Sequence, residues 1–271
     1  MKIAEMRAWG KSQIDGREAD LLLMEIYGLT KTEILTAADR EEKDWNWGCF
    51  KDAVSRRVLG EPLQYILGRW EFMGLKFEVT SDVLIPREDT EILVNAVLSG
   101  EKTGAKGLEI GLGSGCVSVS LTHHGGLQMT GVDICPKALE VARNNMWDNC
   151  GINAQKTFII SDLFNGLTPQ KFDFIVSNPP YIPTKDIDGL DISVKEYEPT
   201  KALDGGADGL GFYDRIIKEA PHWLVEGGRI YFEIGYDQGE EVKNILQEVG
   251  FSNVTIIKDL SDHDRVVTAT A

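Results

Sequence analysis

The sequence of 271 residues contains no apolar run long enough to cross a bilayer, and its N-terminus, Met1-Lys2-Ile3-Ala4-Glu5, has no apolar region of the kind found in secretory signals. A membrane-spanning helix needs about 20 apolar residues, and a secretory signal needs an apolar region near the N-terminus. We therefore expect a cytoplasmic protein without a membrane partner. Basic residues are also scarce, because 28 lysines and arginines stand against 43 acidic residues and give a net charge of −15. Such a charge repels the phosphate backbone, so we expect no direct binding to bare DNA.

Cysteine and histidine are rare as well, with four residues of each type. The cysteines form no CxxC pair and no zinc-ligand spacing, so we expect reduced structural thiols and no bound metal at Cys49, Cys116, Cys135 and Cys150. We assign no catalytic role to the histidines, which we expect at surface or packing positions: His123, His124, His222 and His263.

The first 75 residues read as a small helical module. Apolar residues from Ala19 to Ile26 recur at helical spacing, and Gly28 stands where such a helix would stop. The segment from Thr30 to Glu33 has the pattern of a helix cap. Because this module contains no catalytic constellation, we expect a recognition or docking element. A hairpin linker is expected over 70–85, and a second domain over 86–271.

From Lys106 onwards, apolar strands alternate with amphipathic helices. The strands are predicted at 107–110, 129–132, 157–160, 172–177 and 229–234. The helices between them are predicted at about 115–123, 136–148, 210–224 and 238–249. This alternation predicts an α/β fold with a doubly wound, mostly parallel, Rossmann-like sheet. Two further strand-like runs, 253–257 and 265–269, predict an antiparallel pair at the sheet edge.

Candidate binding residues follow the first three strands of this sheet. Glycines let a backbone turn tightly and approach a ligand, and the loop after the first strand is Gly111-Leu112-Gly113-Ser114-Gly115. Asp133 ends the second strand, where a carboxylate can accept hydrogen bonds from two ribose hydroxyls. Asp162 and Leu163 follow the third strand and can receive an adenine amino group and ring. A tight turn without a ligand, and helix capping by either aspartate, are the alternative interpretations.

The fourth strand ends in Asn178-Pro179-Pro180-Tyr181. Neither proline has an N–H for a sheet, so the chain must leave the strand stiffly at this point. A carboxamide beside a fixed main-chain carbonyl, with an aromatic ring nearby, offers a socket for a planar NH2 group. Ligands of open α/β sheets bind at the carboxyl ends of the strands, where all four candidate segments converge.

The glycine loop, Asp133 and the Asn178 tetrapeptide resemble the motifs of class I S-adenosylmethionine-dependent methyltransferases that act on amide or amino nitrogens. Further segments resemble the PrmC/HemK family over essentially the whole chain: 60–68, 84–87, 198–199 and 205–213. The resemblance implies transfer of a methyl group from S-adenosylmethionine, which becomes S-adenosylhomocysteine, to the side-chain N5 of the glutamine in the GGQ motif of class 1 peptide chain release factors. The helical module would then recognise the substrate protein.

The chain departs from the family pattern at two places. The family usually has Asp where this chain has Glu109. Glu109 keeps the carboxylate, which we still expect to face the methionine part of the cofactor. The family usually has Pro-Glu where this chain has Glu88-Asp89, and the loss of the rigid proline leaves the conformation of that loop open. We expect Asn178 and Pro179 to bind the substrate amide and Tyr181 to pack against its plane.

Three other functions fit parts of the sequence: methylation of a ribosomal-protein glutamine, adenine-N6 methylation of DNA, and cofactor binding without catalysis. We expect a monomer.

Overall fold

The computed structural model of the protein describes residues 2–36, 47–151 and 156–271. Residues 37–46 of the predicted helical module lie outside this part of the chain. The helices are α1 (Ile3–Lys11), α2 (Gly16–Tyr27), α3 (Lys31–Thr36), α4 (Trp47–Val58), α5 (Leu63–Leu67), α6 (Thr90–Gly100), α7 (Cys116–Gly125), α8 (Pro136–Cys150), α9 (Ile192–Lys195), α10 (Gly211–Trp223) and α11 (Gly239–Val249). The strands are β1 (Arg69–Phe72), β2 (Leu75–Glu78), β3 (Lys106–Ile110), β4 (Gln128–Asp133), β5 (Lys156–Ile160), β6 (Phe172–Ser177), β7 (Leu224–Glu233), β8 (Ser252–Lys258) and β9 (Asp264–Thr270).

The chain divides into two compact units. The first contains Met1–Gly68 and Asp191–Tyr197, and the second contains Arg69–Leu190 and Glu198–Ala271. The β1–β2 hairpin, which the sequence suggested as a linker, lies within the second unit. No sequence pattern indicated that the short α9 segment groups with the helical unit. Across the described residues, no helix combines the length and the apolar character that a membrane crossing requires.

The helical unit is built around a small apolar core that includes Phe50, Leu22 and Leu23. The predicted helix end at Gly28 is confirmed, because Gly28 adopts a left-handed conformation with φ 63° directly after α2. The predicted cap is confirmed too. The hydroxyl of Thr30 accepts the N–H of Glu33 at 3.1 Å, and the Glu33 carboxylate accepts the N–H of Thr30 at 2.8 Å. This reciprocal pair satisfies two N–H groups that the helix cannot pair internally.

The second unit contains a seven-stranded sheet in the order β5-β4-β3-β6-β7-β9-β8. The first five strands of that order are parallel, whereas β9 runs antiparallel to both β7 and β8. This arrangement confirms the predicted mostly parallel sheet with an antiparallel edge pair. Helices α10 and α11 cover one face, while α6, α7 and α8 cover the other, so that apolar cores form on both sides.

The order of the strands determines where a ligand can bind. From β3 the chain proceeds to β4 and β5 in one direction, and then returns to place β6 on the other side of β3. The loops that leave β3 and β6 therefore diverge to opposite faces and open a crevice between them. Gly111 follows β3 and Asn178 follows β6, so both predicted motifs lie at this switch point.

Candidate active site

A cleft of about 430 Å³ opens at the carboxyl ends of β3, β4 and β6. This volume lies within the range of about 300–1,000 Å³ that is usual for sites that bind small molecules. Most of the predicted site residues line the cleft: Gly111, Leu112, Gly113, Ser114, Asp133, Asp162, Leu163, Asn178, Pro179 and Pro180. The structure thus brings together segments that are separated by up to about 70 residues in sequence.

The glycine loop requires glycine for two different reasons. Gly111, Gly113 and Gly115 all have positive φ, at 77°, 53° and 77° respectively, which side chains with a Cβ rarely adopt. A Cβ on Gly113 would meet no atom within 4 Å, so this part of the loop leaves open space for a ligand. A Cβ on Gly115 would instead lie 3.0 Å from the Cβ of Ala142, because the loop packs closely on α8 there.

Asp133 and the glycine loop form one hydrogen-bonded unit. One carboxylate oxygen of Asp133 accepts the N–H of Gly113 at 2.8 Å, and the other accepts the N–H of Cys135 at 2.8 Å. Each oxygen retains lone pairs, and the half-buried side chain lies on the cleft wall. Asp133 therefore fixes the loop and still presents acceptors to a ligand. The cap position of α8 belongs to Cys135, which makes no side-chain capping bond.

Glu109 lies beneath the loop, and the cleft wall formed by the described residues does not include it. Its side chain is buried, and Oε2 accepts the backbone N–H of Ser118 at 2.9 Å together with the Ser118 hydroxyl. Burial raises the pKa of Glu109 to about 8, although both bonds from Ser118 oppose that rise. The predicted contact with the methionine part of a cofactor stays a prediction.

Asp162 is held by a residue that the sequence did not single out. Nη2 of Arg215 on α10 lies 2.9 and 3.0 Å from the two carboxylate oxygens of Asp162, and Arg215 also lines the cleft. Leu163 beside it is buried with φ 51°. The adenine contact predicted for Asp162 remains a prediction, and a ligand there would share the carboxylate with Arg215.

The Asn178 segment is anchored on both sides. The hydroxyl of Ser177 donates to the carbonyl of Ile110 at 2.7 Å, which ties the end of β6 to β3. Nδ2 of Asn178 donates to Oγ1 of Thr90 at 3.3 Å. The carbonyl of Tyr181 accepts a hydrogen bond from Nε2 of Gln238 at 3.0 Å. Both prolines line the cleft. Because a proline ring fixes the backbone angle φ, the Pro179 carbonyl belongs to a rigid segment.

The ring of Tyr181 contacts the apolar core of the second unit. It packs against the apolar core beneath α10, and the described cleft wall does not include it. Burial raises the pKa of Tyr181 to about 12, so its hydroxyl stays protonated at neutral pH. The predicted packing of this ring against a substrate amide stays a prediction.

Two segments that carried the family resemblance meet at the cleft rim. Arg87 forms an ion pair with Glu198, whose other oxygen accepts the N–H of Ile85 at 3.2 Å. The Glu198 side chain is 1% exposed, so its carboxylate is held away from water, whereas the Arg87 side chain is 38% exposed. In the Glu88-Asp89 pair, which departs from the family pattern, Asp89 adopts helical angles before α6 and lies 3.3 Å from Arg265.

Comparison with known proteins agrees with the fold. The model of the methyltransferase small domain matches residues 88–191, and that of the PrmC N-terminal domain matches residues 7–68. A methyltransferase from Pyrococcus furiosus has a similar fold, with a TM-score of 0.56 and 19% identity, over 81% of this chain and 98% of that one. The protein is thus of the methyltransferase class with a Rossmann-like sheet.

Closer relatives define the family. The release factor glutamine methyltransferase of Geobacter sulfurreducens is 41% identical over 92% of this chain and 87% of its own length. The protein of the same name from Caulobacter vibrioides is 39% identical over the same shares. The chain therefore belongs to the release factor glutamine methyltransferase family.

Proposed function

We propose that the protein transfers a methyl group from S-adenosylmethionine to the side-chain N5 of the glutamine in the GGQ motif of class 1 peptide chain release factors. One observation carries the proposal: Asn178 and Pro179 stand at the switch point of the sheet, on the same cleft as the glycine loop. That juxtaposition puts acceptors for an NH2 group beside a cradle for a nucleoside cofactor.

The residues of the cleft fit such a cofactor. The open space at Gly113 admits a ligand against the backbone, and the free acceptor capacity of Asp133 suits ribose hydroxyls. Asp162 and Leu163 would take the adenine, and Glu109, Leu112, Ser114 and Gly115 would support the loop and the methionine part. When bound, S-adenosylmethionine supplies a methyl group on a positively charged sulfur, and the product is S-adenosylhomocysteine.

The chain's own contribution follows from the chemistry of an amide. The nitrogen lone pair is delocalised into the carbonyl, so the nitrogen is planar and a poor nucleophile. Oδ1 of Asn178 and the main-chain carbonyl of Pro179 each accept one substrate N–H, which holds the nitrogen in place and favours its more tetrahedral form. Two such bonds in a dry site contribute about 2–4 kcal/mol. The proton leaves to water after the new N–C bond has made the nitrogen cationic, so no strong base is required.

Pro180 and Tyr181 complete the catalytic segment in this proposal. The partly buried ring of Tyr181, which packs against the core, and the hydrogen bond from Gln238 to its carbonyl favour a role in holding Asn178 and Pro179 rigid. A well-oriented acceptor pair matters because small misplacements of a reactive group reduce rates strongly.

The helical unit is proposed to recognise the substrate protein, with residues 1–75 as recognition domain, 70–85 as hairpin linker and 86–271 as catalytic domain. The match to the PrmC N-terminal domain supports this assignment. The net charge of −15 favours a basic protein partner over bare DNA. A monomer located in the cytoplasm completes the proposal.

The test is incubation of the protein and labelled S-adenosylmethionine with a release factor, a ribosomal protein preparation or DNA. Label in the GGQ peptide of the release factor supports the proposal. Label only in ribosomal protein or only in DNA would replace it with one of the other two transfer reactions, and label in none would indicate a protein that only binds the cofactor.

The variant Asn178→Ala should reduce methyl transfer by about 10²-fold or more, because one of the two acceptors is lost. Cofactor affinity should be unchanged. The exposed Asn244 on α11 offers a matched control, since Asn244→Ala removes a carboxamide far from the cleft wall. Turnover by Asn178→Ala close to that of Asn244→Ala would refute the assigned role.

A further inference from the structure

A buried carboxylate lies behind the Asn178 side chain. Glu233 is the last residue of β7, next to β6, and the register pairs Ser177 with Phe232, so Asn178 and Glu233 follow at adjacent strand ends. Glu233 is 2% exposed. Its Oε2 has no hydrogen-bond partner within the described part of the chain. An ionisable group kept in such a place is costly, which calls for a specific reason.

Thr90 connects this carboxylate to Asn178. Thr90 begins α6, is 3% exposed, and its Oγ1 accepts the hydrogen bond from Nδ2 of Asn178. A hydroxyl that accepts in this way retains its own hydrogen to donate. Thr90 and Asn178 lie close to the Glu233 carboxylate, and both lower its pKa. The Thr90 hydroxyl and the Glu233 carboxylate both have acceptor oxygens, so this side of Asn178 suits its NH2 group.

This match determines which end of the carboxamide faces the substrate. Nδ2 of Asn178 is directed to Thr90, so Oδ1 is left for the cleft that Asn178 lines. The opposite orientation would turn Oδ1 towards the side of the negative carboxylate and present a donor to the substrate NH2 group, which itself offers only N–H donors. We propose that Glu233, acting through Thr90, is a positioning residue that keeps Oδ1 of Asn178 turned towards the substrate amide. This inference rests on the proposed function.

The charge of Glu233 should then control the reaction. An ionised carboxylate only accepts hydrogen bonds, whereas a protonated one also donates and competes for Oγ1 of Thr90. Burial raises the pKa of Glu233 to about 7, which nearby Asp89 favours and Arg265 on β9 opposes. Tyr181, Tyr213 on α10 and Cys116 on α7 are the other titratable groups that face it, and all three have raised pKa values, so they remain neutral near pH 7.

The experiment compares wild type with Glu233→Gln, Thr90→Val and Thr90→Ser, and with Glu101→Gln as control. Glu101 is also a buried carboxylate, bonded to the hydroxyl of Tyr231 on the same strand, but it follows α6 at the other end of the sheet. Turnover of the release factor is measured from pH 5.5 to 9, and cofactor affinity is measured by calorimetry.

We expect wild-type kcat to rise with pH through a midpoint near 7. Glu233→Gln and Thr90→Val should lose about tenfold to 10²-fold in kcat at pH 8 and lose the pH midpoint, because Asn178 is no longer held in one orientation. Thr90→Ser should keep the wild-type kcat and pH midpoint, because it retains the hydroxyl. Cofactor affinity should stay within about twofold in all variants, since the residues assigned to the cofactor are unchanged. Glu101→Gln should keep the wild-type profile. A midpoint that persists in Glu233→Gln would overturn the proposal.

A second readout does not require turnover. The side-chain NH2 signals of Asn178, assigned by comparison with Asn178→Ala, should shift with the Glu233 titration in the wild type and become insensitive to pH in Glu233→Gln. If the NH2 signals of the folded wild type did not change with pH, the positioning role would be overturned. This outcome does not depend on whether a substrate is methylated. Absence of methyl transfer together with a normal titration would instead refute the proposed function alone.

Discussion

Glu109 makes the stability of the protein depend on pH in a way that one substitution can isolate. The carboxyl group is fully buried, and its pKa rises from 4.5 to about 8 in the folded chain. A carboxyl whose pKa is higher in the folded state contributes stability that is complete below its unfolded pKa. This contribution is lost as the pH rises through the folded pKa. The window for Glu109 therefore extends from about pH 4.5 to pH 8.

Glu109→Gln replaces the titrating group with a neutral one of the same shape, and its side-chain oxygen can still accept both bonds from Ser118. We compare wild-type Glu109 with a neutral group that keeps the same contacts. With these two pKa values, the linkage relation lowers the free energy of unfolding of the wild type by about 2 kcal/mol at pH 6 and about 4 kcal/mol at pH 8. The variant should be the more stable protein at both pH values. Its advantage should grow by about 2 kcal/mol between them.

The assay is urea unfolding of both proteins at half-unit steps from pH 5 to pH 9, followed by circular dichroism and tryptophan fluorescence. Coincident transitions by the two probes are required before free energies are compared. Because Glu233 also titrates near neutral pH, only the difference between wild type and variant isolates Glu109. A difference that is constant across this range would refute the argument that burial makes the folded protein resist ionisation of Glu109.

Two further predictions concern the backbone around the cleft. Gly209→Ala should destabilise the protein by about 1–3 kcal/mol and slow turnover, because Gly209 has φ 77° and its Cβ would lie 2.3 Å from the carbonyl oxygen of Tyr181. Gly206→Ala is the control, since its φ is also positive but its Cβ would meet no atom within 4 Å; equal effects in thermal unfolding would contradict the steric argument. Asp133→Ala should weaken cofactor binding by about tenfold to 10²-fold, because the anchor of the Gly113 N–H is lost together with the proposed ribose acceptor. Calorimetry measures this change, and wild-type affinity in the variant would contradict it.

Much of the fold could be predicted because local sequence patterns specify its helices and strands. The helix predicted at 136–148 is α8, Pro136–Cys150, where Pro136 suits the first turn and an apolar face repeats at helical spacing. The strand predicted at 229–234 is longer, because β7 begins at Leu224. Gly227 and Gly228 interrupt the apolar pattern there, and only pairing with Phe172 across the sheet, with an irregularity in register, reveals the extension.

The candidate site could be predicted only where its residues stand at strand ends. Asp133 and Asn178 follow apolar runs and are therefore visible in the sequence. Glu233 also ends a strand, but its segment carries no motif, and its relevance comes from burial beside Asn178. Arg215 and Thr90 lie on helices, and their partners are 53 and 88 residues away. Such contacts depend on how the helices pack, which no local pattern specifies.

In the proposed function, the Asn178 carboxamide directs methylation to a glutamine amide of a release factor. Mass spectrometry of a release factor co-expressed with the wild-type protein, and separately with Asn178→Ala, tests it most directly. One added methyl group, located on the glutamine of the GGQ peptide, is expected with the wild type, and a strongly reduced methylated fraction is expected with the variant. An unmodified glutamine with the wild type, or an equal methylated fraction with the variant, would refute this role of Asn178.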